Sequence, residues 1–146
     1  MFAITLVAVG AAVATWLRPM PETKTASPST PAFSDQQVAD AKSKVCAAFE
    51  KVQKASSSNS GRNGGDDPNA QLLVAVNMRQ VFMSSSVYLL RTLVEEPAAP
   101  AELASATKKL ADMFQVITLD GLAGDRNDPG HDAANETGQT IENLCK

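Results

Sequence analysis

The side chains in this chain whose types could do covalent, acid–base or metal chemistry are two cysteines, a single histidine and a few grouped carboxylates. A cysteine or serine nucleophile needs a base beside it, and His131 is the only imidazole available. It stands in a stretch read as a polar loop, and no Gly-x-Ser-x-Gly elbow surrounds any serine. His131 therefore reads as a solvated loop histidine. Cys46 and Cys145 are too far apart in sequence, and too far from His131, to form a metal-ligand cluster. Gly61-Arg62-Asn63-Gly64-Gly65 lacks the lysine of a phosphate loop and follows no strand. Glu95, Glu96 and Glu102 fall in a turn and in the first turn of a helix. There, solvated charge and complement to the helix dipole explain them.

The closest approach to a metal motif is Asp125 to Glu136. Asp125, Asn127, Gly130 and Glu136 occupy positions 1, 3, 6 and 12 of a calcium loop. Pro129 at position 5 has no side-chain oxygen, and Asp132 stands where an apolar residue belongs, so the segment reads as a polar loop that starts a helix. Asn135-Glu136-Thr137 matches a glycosylation sequon, relevant only in a eukaryotic secretory pathway. No catalytic residue, metal site or cofactor is expected, and the chain does not read as an enzyme.

Composition narrows the classes further. Apolar residues make up 44% and charged residues 20%, the balance of a globular protein. Aromatic residues are only 5%, so the core must be built from Ala, Val and Leu, which favours closely packed helices over a sheet. A net charge of -3 makes no basic face for nucleic acid.

Three regions follow along the chain. Residues 1–18 contain the uncharged apolar run Phe2 to Leu17, which has three readings. It is a membrane anchor ending in Trp16 at the interface with Arg18 and Pro19 beyond, a signal cleaved after Ala14 in Ala12-Val13-Ala14, or a buried helix. The anchor is the expectation, contacting the membrane through residues 2–17 with the C-terminal domain outside the cytoplasm. Arg18 on the exported side runs against the positive-inside rule. Residues 19–33 hold four prolines and five Ser or Thr before Phe33, the composition of an extended spacer whose hydroxyls could accept O-linked sugar. Residues 34–146 carry helical periodicity.

The first helix opens with a capping box, Ser34 and Gln37. It buries Val38, Ala41, Val45, Ala48, Phe49, Val52 and Ala55, with Cys46 flanking the stripe. Ser56 to Asp66, with three glycines, reads as a mobile loop. Asp67-Pro68 starts a second helix, to about Val94, that is apolar around most of its circumference. Such a helix sits centrally or meets a second partner surface, and Arg79 near its middle argues against a membrane span. A third helix begins with Pro100 in its first turn and ends at Gly121 or Gly124. A fourth, weakened by Gly130 and Gly138, starts near Pro129.

The expected fold is all-α, an antiparallel four-helix bundle following the N-terminal apolar helix and Pro-rich linker. In an up-down-up-down arrangement the fourth helix returns beside the first, bringing Cys46 within reach of Cys145. Pairing is expected in an oxidising compartment, two buried thiols in a reducing one.

The chain resembles a group of small actinobacterial, chiefly mycobacterial, alanine-rich envelope proteins. The residues that carry the resemblance are Trp16-Leu17-Arg18-Pro19, the proline-rich spacer, SDQQVADAKSKVCAAFEKV at 34–52, PAELA at 100–104 and the terminal Leu144-Cys145-Lys146. The resemblance implies an exported domain and no particular activity. Two functions are expected from different classes. One is a non-catalytic envelope module that binds or scaffolds an envelope protein partner. The other is a carrier or sensor of an apolar ligand held between helices by Met78, Phe82, Met83 and Phe114, residues that core packing also explains.

Overall fold

The computed structural model describes residues 33–146, so the readings of the apolar segment and the spacer lie outside the described residues. Residues 33–146 form one compact unit, in which the secondary structure is helical and contains no strand. Its helices are α1 (Asp35–Ser60), α2 (Pro68–Glu95), α3 (Ala101–Ala123) and α4 (Asp128–Leu144). None of them is long and apolar enough to cross a membrane.

Helix α1 starts as its sequence dictates. The Ser34 hydroxyl accepts from the Gln37 N–H at 3.3 Å, and the Gln37 Oε1 accepts from the Ser34 N–H at 2.8 Å. Ala41, Val45, Ala48, Phe49 and Val52 are buried along the expected stripe, with Cys46 beside them. The helix does not dissolve at Ser56, however, but continues to Ser60. The hydroxyls of Ser57 and Ser58 both donate to the Lys54 carbonyl, and the Asn59 amide donates to that of Ala55. Residues that favour turns thus bond back onto the preceding turn and keep it helical.

Pro68 opens α2 behind an Asp67 cap whose carboxylate accepts from the Asn69 N–H. Helix α3 begins at Ala101, one residue after the expected Pro100, and ends on Gly124 at φ +86°, a conformation that favours glycine. Asn127 joins the last two helices. Its Oδ1 accepts from the Gly130 N–H at 2.8 Å, capping α4, and its Nδ2 donates to Asp120 near the end of α3.

Each helix packs chiefly on its neighbours in sequence, and α1 touches α4 at few places. The core is Val45, Phe49 and Val52 from α1, Leu89 from α2, Leu103, Leu110, Phe114 and Ile117 from α3, and Ala134 and Ile141 from α4. The two cysteines are bonded, with their Cα atoms 5.7 Å apart, so α1 is tied to the end of α4.

Helix α2 contributes less apolar bulk than its composition suggests. Its buried residues are Ser85, Ser86, Leu89 and Thr92. Two long side chains mark the seam with α3: the Arg79 guanidinium donates to the Gly121 carbonyl at 2.6 Å, and the Gln115 amide donates to the Ser86 hydroxyl at 2.9 Å. The arginine that argued against a membrane span is therefore bound to a backbone oxygen near the C-terminus of α3, where a cation also complements the helix dipole.

Candidate functional site

Because α1 and α4 touch at few places besides the disulfide, a cleft lies between them, floored by side chains from α2 and α3. One cavity of about 500 Å³ is lined by Phe49, Val52, Phe82, Leu110, Phe114 and Ala134, with Gln53, Gln139 and Glu142 at its rim. A second, of about 580 Å³, extends past Val74, Ala75 and Met78 to Arg62. Gln53, Ser56, Phe82, His131 and Asn135 line both, so the two are halves of one cleft. Each half is of the size that holds a small ligand, with an apolar floor under walls that are largely polar.

Phe82 is the hinge of this floor. Its ring stacks on Phe114 with centroids 4.9 Å apart and planes 17° from parallel, and the His131 imidazole lies tilted with its centroid 5.7 Å from that of Phe82. His131 is not in a loop. Capping by Asn127, with Pro129 tolerated in the first turn, starts α4 at Asp128 and places the imidazole on the cleft. The same early start removes the calcium-loop reading. Asp128 to Glu136 is helical, so the oxygens of Asp125 and Glu136 cannot wrap around one ion as a twelve-residue loop requires. Among the described residues no group of three or more His, Cys, Asp or Glu is placed to hold a metal ion.

The hydroxyl of Ser56 is buried in the wall of the cleft and makes no hydrogen bond among the described residues. The Arg62 guanidinium, at one mouth, makes no ion pair among the described residues. These polar groups carry no periodic signal, and sequence reasoning missed them.

A second surface lies on the outside of α2 and α3. Leu72, Val76, Met83, Val87 and Val94 fall within roughly 60° of one another around α2, at about 100° per residue. All five are exposed, by between 40% and 81%. The Arg79 and Ser86 contacts turn the neighbouring sector of α2 toward α3, on whose outer side Leu119 and Leu122 are also exposed. An apolar stripe along a whole helix exceeds the scattered exposure usual for a monomer. Of the four residues expected to meet a ligand or partner, Met78, Phe82 and Phe114 line the cleft, and Met83 lies on this outer stripe.

No protein-family model, curated protein or solved structure matches the chain. Function must be argued from these two surfaces.

Two of the grouped glutamates, Glu95 and Glu96, have structural partners. Glu96 bonds Lys44 at 2.7 Å, joining the end of α2 to α1, and Glu95 bonds Arg91 within α2. Glu96 is thus a link between helices rather than a solvated turn charge. Its carboxylate, by hydrogen bond and by charge, raises the Lys44 pKa above 10.5.

Proposed function

We propose that this chain is a non-catalytic, membrane-tethered module of the cell envelope whose outer α2–α3 face docks a helix of a partner protein. The observation that carries this is the stripe Leu72, Val76, Met83, Val87 and Val94. Its spacings of four and seven residues follow the path along which one helix lies against another. Tethering through residues 2–17, with residues 34–146 outside the cytoplasm, agrees with the disulfide, a bond that persists in oxidising compartments. The resemblance to actinobacterial envelope proteins supports the same placement. In this reading the helices alternate in direction. Supporting that are the pairs Arg79 with Gly121 and Ser86 with Gln115, in which later residues of α2 meet earlier residues of α3.

The test is a photoreactive residue at Val87 in the full-length chain, expressed in cells. Docking predicts a discrete heterologous protein adduct that Val76→Asp abolishes while the isolated protein keeps its melting temperature. Adducts to lipid, or to a second copy alone, would overturn the partner-helix reading.

A second reading, a carrier or sensor of an apolar ligand, is favoured by the continuous cleft floored by Phe82 and Phe114.

A further inference from the structure

We infer that the cleft takes a long-chain carboxylate, with the acid group at Arg62 and the hydrocarbon on the phenylalanine floor. The inference rests on the carrier reading and specifies its ligand. The cleft has two chemically different ends. Around Phe49, Val52, Leu110 and Phe114 the floor consists of buried core side chains, which offer a chain dispersion contacts and removal from water. Gln53, Asn135, Gln139 and Glu142 line the same half with polar groups. At the other end lie Asn59, Ser60 and Arg62. The ligand must therefore be apolar along most of its length and polar at one terminus.

Charge fixes the sign of that terminus. Arg62 is a cation without an ion-pair partner among the described residues, and its planar fork of donors matches a carboxylate in two parallel hydrogen bonds. Glu142 stands at the apolar end, where it disfavours the reverse orientation. The buried Ser56 hydroxyl, which lines both halves, has no hydrogen-bond partner among the described residues and offers a polar ligand a further donor. From Phe49 to Ser60 along α1 the cleft is about 16 Å long at 1.5 Å per residue, the reach of an extended alkyl chain rather than of a compact metabolite. The opening between α1 and α4 gives such a chain lateral entry without unfolding the core.

The test uses hexadecanoate bearing a diazirine near its methyl end, added to membranes containing the full-length chain, with adducts located by peptide mass spectrometry. Expected are adducts on α1 near Phe49 and Val52 and on α4 near Gly138. Unlabelled hexadecanoate should displace the probe, and hexadecanol should do so about tenfold less well, the worth of one charge-assisted hydrogen bond. Arg62→Gln should erase that preference for the acid, and Ala134→Trp should fill the floor and abolish labelling. If hexadecanol competes equally and Arg62→Gln changes nothing, the headgroup assignment fails while the cleft remains a site for apolar ligands. If no adduct falls on the cleft, or adducts fall on the outer stripe of α2, the carrier reading fails with it.

Discussion

Thr107 is fully buried in α3, and its hydroxyl makes no hydrogen bond among the described residues. A buried hydroxyl without a partner has lost its water and gained nothing, a deficit of about 1–3 kcal/mol. Valine has nearly the same shape. Thr107→Val should therefore raise the stability of the protein by about 1 kcal/mol, seen in urea as a higher midpoint with an unchanged slope. A lower midpoint would mean that the hydroxyl serves the fold. Residue type alone grouped Met78, Phe82, Met83 and Phe114, and the helix separates them. Met78 and Phe82 are four apart and share a face, whereas Met83 lies a further 100° or so around the helix and faces outward. Of the polar lining, Gln53 and Ser56 are three apart on α1 and share a face, whereas Asn135 comes from α4. Only packing brings Asn135 opposite them, and nothing in its local sequence announces it.

At the scale of elements, the helices whose apolar residues repeat strictly were legible. The middle of the α1 stripe and most of the α3 stripe are buried where their spacing puts them. Val38 is half-buried and Ala55 exposed, because α1 outruns the core at both ends. The departures are at ends, where side-chain hydrogen bonds outweigh propensity: Ser57, Ser58 and Asn59 prolong α1, and Asn127 starts α4 early. Long-range charge was not legible either, since Lys44 and Glu96 are 52 residues apart. That pair gives an element-scale prediction. Glu96 raises the Lys44 pKa in the folded protein above its ordinary value of 10.5. A raised folded pKa means the charged lysine favours folding. The contribution is complete below 10.5 and is lost as pH rises through the folded value. The stability difference between the native chain and Lys44→Met should therefore be flat from neutral pH and shrink above 10.5, and added salt should shrink it at any pH because the lysine is exposed. A difference that grows with alkaline pH would show that Glu96 does not stabilise the ammonium.

For the whole molecule, the uneven packing of the helices gives the disulfide a particular role. Helix α1 rests on α2, α2 on α3 and α3 on α4, whereas α1 and α4 meet sparsely around their cleft. Cys46–Cys145 therefore closes a row of helices into a ring. With the bonded positions 99 apart in sequence, the chain-entropy model gives about 4–5 kcal/mol from restricting the unfolded state. That restriction should not be spread evenly. Helix α4 is the shortest at 17 residues, carries Gly130 and Gly138, and lacks a second partner to replace the clasp. Replacing both cysteines by alanine should lower the global stability by about 4 kcal/mol. In hydrogen exchange, α4 should lose protection first while the α2–α3 seam held by Arg79 and Gln115 keeps it. Simultaneous loss of protection in all four helices would show instead that α4 is held by its packing on α3.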